Sequence, residues 1–278
     1  MNHAHGTFVG AGGLALFYQW WRPDTVPRIA VAIIHGICEH SGRYPKIVSG
    51  LVPRGHAVYG FDHRGHGRSP GRRGHVGSWG EYRGDVDAFI RTVAAREPGR
   101  PIHLLAHSMG ALVALDYLPT GQGALAGAII SGAPIAPVGV AKPALVAMAK
   151  ALSRVWPTFV LRTRFDVDTI SRDPQVVRAY RDDPLVHGVV TARWGTEALD
   201  AVRRVRANAA RITLPVLFIH GGADRLNAAD GISPYFVRLS SPDKTLRIYP
   251  GAFHETHNDL DHAVVVADIA AWLEARAA

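Results

Sequence analysis

A serine lies between a predicted strand and a predicted helix in the segment 104–110, which has the sequence LLAHSMG. A serine at such a strand-to-helix turn has a strained backbone and an exposed hydroxyl, as a nucleophile requires. The strand and the helix approach closely there, so small residues are needed two positions before and after the serine. Ala106 and Gly110 occupy these positions, with alanine in place of the first glycine of the usual G-x-S-x-G pattern. We predict Ser108 as a nucleophile for acyl transfer; the alternative interpretation is a serine that only caps the helix.

A carboxylate and an imidazole follow the serine, each after a later predicted strand. Asp224 comes after the predicted strand Val216–His220 and a glycine-rich turn, and His254 comes after Leu246–Tyr249. A histidine there can accept the serine proton and return a proton to a leaving alcohol, while the carboxylate fixes the imidazole tautomer. We therefore predict Asp224 as the acid and His254 as the base. The alternatives are a turn aspartate that binds its own backbone and an ordinary core or surface histidine.

Two backbone N–H groups are candidates for binding the negative charge that develops on an attacked carbonyl. One belongs to Met109, directly after the serine, and the other to Ile37, in the loop after the predicted strand Ile29–Ile34. Loss of one such donor lowers the rate about 10²- to 10³-fold, so the geometry of this loop matters nearly as much as the side chains. We predict Ile37 and Met109 as the oxyanion hole.

The elements that must position these groups alternate along the chain between short apolar runs and helical patterns. Such alternation is typical of an α/β fold with a mostly parallel central sheet flanked by helices. The predicted strands are Leu14–Trp21, Ile29–Ile34, Ala57–Phe61, Ile102–Ala106, Leu125–Ser131, Val216–His220 and Leu246–Tyr249, and the predicted helices cover 81–96, 109–118 and 262–276.

The alternation stops between 135 and 208, where strand patterns disappear. Pro143 can open a helix as its first residue, and apolar residues after it share one helical face. We predict a helical cap over 135–208, inserted into a core formed by 1–134 and 209–278, within a single catalytic domain. Three roles are open for this apolar face: it packs against the core, it lines an acyl channel, or it inserts into a membrane surface. The residues of that face are Leu145, Met148, Ala149, Leu152, Val155 and Trp156.

The composition favours a globular protein with one large core. Of the 278 residues 47% are hydrophobic, and a run of about 18 apolar residues that would predict a spanning helix is missing. The first residues lack the basic and apolar regions of a secretory signal, and the single cysteine, Cys38, cannot form an internal disulfide. The sequence therefore predicts a cytoplasmic protein.

The formal net charge of +8 comes largely from dispersed arginines rather than from a block of like charges. It predicts at most weak peripheral contact of the cap with an anionic membrane surface, and without a nucleic-acid-binding motif we expect no nucleic acid partner. His254, His257, Asp259, Asp261 and His262 cluster, but their spacing differs from the metal-binding pattern H-E-x-x-H. We expect no metal ion.

Longer motifs surround the candidate residues. The segment 35–44 reads HGICEHSGRY, and 62–69 reads DHRGHGRS. Further motifs lie at 107–110, 223–226 and 243–254, and in the predicted cap at 171–174 and 183–186. Over nearly the whole core these motifs resemble the monoacylglycerol lipase family of serine hydrolases, which has the α/β-hydrolase fold. The chain departs from the family at Ala106 and at Cys38, where the family often has glycine.

The resemblance implies hydrolysis of a monoacylglycerol to glycerol and a free fatty acid, without a metal ion or an organic cofactor. It also implies that Glu39, Arg43 and His257 hold the glycerol end, because their side chains can hydrogen-bond two hydroxyls. For Glu39 and Arg43 the alternative is a local ion pair that orders the loop. A site built for free hydroxyls predicts poor turnover of triacylglycerols.

Two other functions stay open on the sequence alone. A broader carboxylesterase or a lysophospholipase would use the same catalytic residues, and a panel of ester substrates distinguishes these activities. A non-catalytic binding protein could share the fold. Covalent labelling by a fluorophosphonate would exclude that possibility. Acyl chain length, the choice between 1- and 2-monoacylglycerols and the oligomeric state have no signature in the sequence.

Overall fold

The computed structural model describes residues 1–135, 143–163 and 166–277, and an eight-stranded sheet lies at its centre. In chain order, the strands of the described residues are β1 (Asn2–Val9), β2 (Ala15–Arg22), β3 (Ile29–Ile34), β4 (His56–Phe61), β5 (Ile102–His107), β6 (Gly127–Ser131), β7 (Val160–Arg162), β8 (Val189–Thr191), β9 (Val216–Gly221) and β10 (Lys244–Tyr249). All of them except β7 and β8, which form a separate two-stranded sheet, belong to the central sheet. The order in the sheet is β1-β2-β4-β3-β5-β6-β9-β10. From β4 to β10 neighbouring strands are parallel, and β1 and β2 add an antiparallel edge. The predicted mostly parallel sheet is confirmed.

Helices cover both faces of this sheet. They are α1 (Pro45–Leu51), α2 (Trp79–Arg96), α3 (Met109–Gly121), α4 (Pro143–Val155), α5 (Pro174–Asp182), α6 (Ala192–Ala207), α7 (Ile232–Phe236) and α8 (His262–Glu274). In β3, Ile29 and Ile33 share a buried core with α1 and α8, whereas Ala30 and Ile34 share one with α2, α3 and α6. Successive side chains of a strand point to opposite faces, so a strand covered on both sides is apolar throughout.

Strand β1 is the longest strand that the sequence analysis misses. It is an edge strand with mostly exposed side chains, and its sequence NHAHGTFV is rich in polar and small residues. Its backbone pairs over its full length with β2, from Asn2 opposite Arg22 to Val9 opposite Ala15. Because this pairing, rather than a buried face, fixes the strand, the usual apolar signal is weak.

The segment between the core strands β6 and β9 contains α4, α5 and α6 as well as the short strands β7 and β8. The expectation that strands are missing from this segment is therefore wrong: β7 and β8 pair antiparallel over three residues each. Pro143 begins α4 as predicted. Met148, Val155 and Trp156 of the predicted apolar face are exposed, while the side chain of Leu145 lies outside the described residues. The core and cap boundaries stay a prediction.

The carboxyl ends of the parallel strands bring the candidate site together. Loops that follow β3, β5, β9 and β10 carry the candidate oxyanion, nucleophile, acid and base residues, respectively. In an open parallel sheet these ends meet at one edge, where ligands usually bind. In the described part of the chain, every helix is too short or too polar to cross a membrane.

Candidate active site

Ser108 lies at a sharp turn between β5 and α3. Its backbone has φ 53° and ψ −119°, a left-handed φ that is rare for residues other than glycine. The Ser108 N–H donates to the Ser131 carbonyl of β6 at 2.9 Å, which helps to hold this geometry. A Cβ atom at Gly110 would overlap the carbonyl oxygen of Ile34, so the helix can pass β3 only with glycine there. Ala106 lies inside β5, where the extended backbone needs no glycine.

Asp224 and His254 form a buried hydrogen bond. The Nδ1 atom of His254 lies 2.7 Å from Oδ2 of Asp224. The carboxylate can only accept, so Nδ1 carries the proton and Nε2 is left as the basic nitrogen. The other oxygen of Asp224 accepts the N–H groups of Leu226 and Asn227 at 2.8 and 2.9 Å. Asp224 therefore combines both interpretations. Oδ1 binds the backbone of its own turn, and Oδ2 binds the imidazole of His254.

Charge and burial shift the pKa values of this pair in opposite directions. Burial lowers the pKa of His254, but the Asp224 carboxylate, together with the nearby carboxylates of Glu255 and Glu39, raises it by more, so the net shift is upward from 6.5. Burial raises the pKa of Asp224, but His254 and the backbone N–H of Asn227 lower it by more. Asp224 therefore stays ionised, and it stabilises the imidazolium that forms when His254 takes up a proton.

A histidine orients the backbone of the candidate oxyanion loop. The His63 N–H donates to Nε2 of His35 at 2.9 Å, so the proton of the His35 ring must lie on Nδ1. Nδ1 in turn donates to the Gly36 carbonyl oxygen at 2.7 Å. That carbonyl and the Ile37 N–H belong to one trans peptide and point in opposite directions. Holding the carbonyl therefore fixes the direction of the Ile37 N–H.

Burial keeps the His35 ring neutral. It lowers the pKa of His35 to about 3, so the tautomer that binds Gly36 persists over the ordinary pH range. The Nε2 atom of His63 also donates to the His35 carbonyl at 3.2 Å, which holds the same loop from a second side. The second candidate donor, Met109, begins α3, and the first N–H groups of a helix have no partner within the helix.

A cavity of about 350 Å³ contains the candidate catalytic groups. Ser108, His254, Ile37 and Met109 all line it. The remaining lining is largely apolar, and α6 contributes much of it. The lining residues of α6 are Trp194, Gly195, Ala198, Leu199 and Val202. Among the described residues, the apolar wall of the cavity therefore comes from α6 rather than from the face of α4 that the sequence singles out.

Of the three residues that the resemblance assigns to the glycerol end, one lines the cavity and two lie outside its wall. Glu39 lines the cavity, whereas Arg43 and His257 do not. Arg43 donates to Glu39 at 3.0 Å, so the loop ion pair that was the alternative interpretation is present. His257 stacks on Tyr44 with 4.9 Å between ring centroids, and burial lowers its pKa to about 4.

Sequence reasoning misses Glu255, which pairs with Arg43 through both of its oxygens and also lines the cavity. Its position directly after His254 was the only available signal. The acidic residues farther along this loop have structural partners: Arg172 donates to Asp259 at 2.9 Å and to Asp261 at 2.7 Å. Among the described residues, no group of three or more His, Cys, Asp or Glu is arranged to hold a metal ion.

Comparison with known proteins identifies a family that covers most of the chain. Residues 25–261 match the family model described as serine aminopeptidase, S33. A monoacylglycerol lipase of Mycolicibacterium smegmatis is 35% identical over 96% of this chain and 95% of its own, and the monoglyceride lipase of Homo sapiens is 34% identical over 97% and 90%. The crystal structure of Paleococcus ferrophilus monoacylglycerol lipase superposes with a TM-score of 0.84, at 32% identity over 99% of this chain and 100% of that one.

The His35 contact makes a testable prediction. We expect His35→Ala to lower kcat on the order of 10²-fold, because the Gly36–Ile37 peptide is then free to turn. In His35→Asn the side-chain amide can replace the Nδ1 donor, so part of the rate should return. The measurement is kcat and KM on a soluble p-nitrophenyl ester.

His103→Ala is the matched control, since His103 is a buried histidine of β5 that does not line the cavity. An equal loss of kcat in His103→Ala, or an unchanged kcat in His35→Ala, would contradict the assigned role of His35.

Proposed function

Because the chain belongs to the serine aminopeptidase, S33 family and, within it, to the monoacylglycerol lipases of the α/β-hydrolase fold, we propose that it hydrolyses monoacylglycerols to glycerol and a free fatty acid. The observation that carries the proposal is the buried 2.7 Å contact between Asp224 and His254 beside the same cavity as the strained Ser108. A metal ion or an organic cofactor has no role in this reaction.

The first half of the reaction transfers the acyl group to the enzyme. The Ser108 Oγ attacks the ester carbonyl carbon, and its proton passes to Nε2 of His254. The resulting oxyanion accepts hydrogen bonds from the N–H groups of Ile37 and Met109. When the intermediate collapses, the ester C–O bond breaks, and the imidazolium gives its proton to the departing glycerol oxygen. The acyl group is left on Ser108 as an ester.

The second half releases the fatty acid with the same groups. A water molecule attacks the acyl-enzyme while His254 accepts one of its protons, and the oxyanion forms again against the same two N–H groups. Collapse breaks the bond to Ser108 Oγ, which regains the proton from His254. Asp224 remains ionised in both halves, because its pKa lies below the ordinary range. The hydrogen bond between Ser108 Oγ and Nε2 of His254 is required only when substrate is bound.

The apolar part of the cavity supports a lipid acyl chain as the occupant. Leu112, Ile170 and Leu226 line it together with the apolar residues of α6. A methylene group gains about 0.8 kcal/mol on leaving water, so such a wall favours acyl chains over small acetyl groups. The side chains of Glu39 and Glu255 supply a polar wall for a headgroup.

Weak peripheral contact with an anionic membrane is a second part of the proposal. In α4 and just after it, Val155 is 87% exposed and Trp156 is 57% exposed, and Val160 and Leu161 of β7 are also exposed. Arg154 is exposed beside them, and the whole chain carries a net charge of +8. Exposed apolar side chains flanked by cations are the usual composition of an interfacial binding surface.

A substrate panel tests the activity. We expect a 1-monoacylglycerol to be hydrolysed faster than the diacylglycerol and triacylglycerol with the same acyl chain, because the latter lack the free hydroxyls that the polar wall can bind. A fluorophosphonate probe should label the wild-type protein and leave Ser108→Ala unlabelled. Triacylglycerol hydrolysis at an equal or higher rate, or labelling that survives in Ser108→Ala, would refute the proposal.

Vesicle sedimentation tests the membrane contact. We expect a Val155→Asp, Trp156→Asp double variant to bind phosphatidylglycerol vesicles about tenfold more weakly, because its apolar side chains no longer enter the interface. Turnover of a water-soluble ester should be unchanged. Val237→Asp is the matched control. Val237 is also an exposed valine (69%), but it lies at the end of α7, outside the predicted cap. Equal binding by the double variant and the wild type would disprove contact through this surface.

A further inference from the structure

The central sheet ends in β1 on one side and in β10 on the other, and these two edge strands differ in charge. The sequence of β10 is KTLRIY, which contains the cations Lys244 and Arg247. Charged side chains on an edge strand oppose its pairing with a further strand. The sequence of β1 is NHAHGTFV, which contains no lysine, arginine, aspartate, glutamate or proline. The usual protection of a sheet edge is therefore present in β10 and lacking in β1.

The outer side of β1 presents a row of backbone hydrogen-bonding groups. The strand pairs with β2 without interruption, from Asn2 opposite Arg22 to Val9 opposite Ala15, so it contains no bulge. In an antiparallel pair every second residue directs its N–H and C=O groups away from the neighbouring strand. Among the described residues, no strand lies beside β1 on its outer side. A regular edge of about 27 Å is therefore available as a template for another strand.

A groove of about 470 Å³ lies next to this edge and is bounded by α2. Val9 lines it from β1, and α2 contributes the small side chains of Ala88, Thr92 and Ala95. Successive side chains of a strand point to opposite faces of a sheet. Every second side chain of a strand paired with β1 would therefore point toward α2, where the groove leaves room for it.

The side chains of β1 itself suit this position. Phe8 packs on Phe89 of α2 with 5.5 Å between ring centroids, so Gly6 and Ala4 share the face of β1 that is turned toward α2. Two identical antiparallel strands in one sheet are related by a two-fold axis perpendicular to the sheet, which keeps that face on the same side in both copies. A second copy of β1 would therefore bring small side chains toward the groove, where large ones would meet the helix.

The charges at the two ends of β1 also permit an antiparallel pair. At the start of the strand the Met1 ammonium pairs with Asp24, and Arg91, which shares the groove with Val9 at the end of the strand, pairs with Asp87. Both ion pairs are largely exposed. Antiparallel pairing brings the start of each strand beside the end of the other. Each carboxylate thus gains a second cation nearby, which favours this orientation of the two copies.

We propose that β1 is an interface between two copies of this chain, which pair antiparallel along their outer edges and join their central sheets into one. Opposed residues of an antiparallel pair are either both hydrogen-bonded or both not, so in identical strands their numbers add up to an even sum. The two registers with the greatest overlap place His5 opposite His5 or opposite Thr7 of the second copy. One strand and its groove form a small interface, so we expect a dissociation constant in the micromolar range. Residues of β1 do not line the catalytic cavity, so the pairing leaves that cavity unchanged.

Analytical ultracentrifugation between about 1 and 100 µM, a range that spans a micromolar dissociation constant, tests the pairing. The wild type should shift with concentration from the 30.0 kDa chain to a dimer of twice that mass. In His5→Lys two ammonium groups lie close together across the two-fold axis, so the dimer should be at least about tenfold weaker. Turnover of a water-soluble ester should be unchanged in this variant, which shows that it is folded. A wild type that stays monomeric would overturn the inference and leave the edge to a strand from a different protein. A His5→Lys dimer as tight as that of the wild type would also overturn it.

A charge-reversal pair tests whether the two copies of position 5 lie near each other. His5→Glu alone should be as weakly dimeric as His5→Lys, because like charges again meet across the axis. An equimolar mixture of the two variants should recover the dimer, since opposite charges then lie across the axis. A mixture that stays monomeric while the wild type forms a dimer would overturn the assignment of the interface to β1.

Ile248→Lys is the matched control, because Ile248 is 41% exposed on β10, at the opposite edge of the sheet. This variant should form a dimer as tight as that of the wild type. Weakening as large as that in His5→Lys would show that the pairing does not depend on β1 and would overturn the inference.

Amide hydrogen exchange of the wild type locates the contact without a substitution. The amides of residues 2–9 that point outward should exchange at least about tenfold more slowly at a dimeric than at a monomeric concentration, because they gain hydrogen-bond partners. The exchange of β10 should not depend on concentration. Exchange in β1 that is equally fast in monomer and dimer would overturn the inference. Equally slow exchange in both would mean that another segment of the same chain covers the edge, which would overturn it as well.

Discussion

The buried contact between the Asp224 carboxylate and the His254 imidazole is the interaction on which the proposed chemistry depends. A carboxylate is costly to bury unless it is paired and hydrogen-bonded. Here its two oxygens accept two backbone N–H groups and the imidazole. The parallel neighbours β9 and β10 end at the same edge of the sheet, and their following loops bring the two side chains together. The topology of the sheet thus supplies the geometry, and the hydrogen bonds offset the cost of burial.

The backbone near Ser108 stores strain that the surrounding structure holds. Ser108 and Cys38 both have a positive φ, of 53° and 65°, respectively. For residues other than glycine this conformation costs about 1 kcal/mol or more. Hydrogen bonds from Ser108 to β6, and from the His187 N–H to the Cys38 carbonyl, hold these two positions. The strained residues flank the two candidate oxyanion donors, Ile37 and Met109. Rigid placement of these donors lets them stabilise charge without rearranging during the reaction.

Much of the core could be predicted from the sequence because its strands are buried on both faces. Ile29–Ile34 is apolar throughout, and the prediction agrees with β3 at both ends. The loops after such strands carry polar residues at an edge of the sheet, so the side chains of Ser108, Asp224 and His254 could be proposed as partners before any coordinates. Strand β1 and the pair β7 and β8 could not be predicted, since pairing with other segments fixes them and their own patterns are short or polar.

The headgroup wall shows a different limit of sequence reasoning. Glu39 and Arg43 belong to one sequence motif. However, the carboxylate that binds Arg43 through both of its oxygens is Glu255, more than two hundred positions later in the chain. Contacts of that kind depend on which loops meet at the sheet edge, and spacing within a motif does not contain that information. The same holds for His35, whose role follows from the tautomer that the His63 N–H imposes on it.

The most direct measurement of the central contact is the pH dependence of fluorophosphonate labelling of Ser108, in the wild type and in Asp224→Asn. The Asp224 carboxylate raises the pKa of His254 above 6.5, and the protonated imidazole cannot act as a base. The labelling rate of the wild type should therefore fall as the pH drops through a midpoint above 6.5. In Asp224→Asn the rate should be much lower throughout, and its midpoint should move to lower pH. An unchanged midpoint and rate in Asp224→Asn would contradict the account.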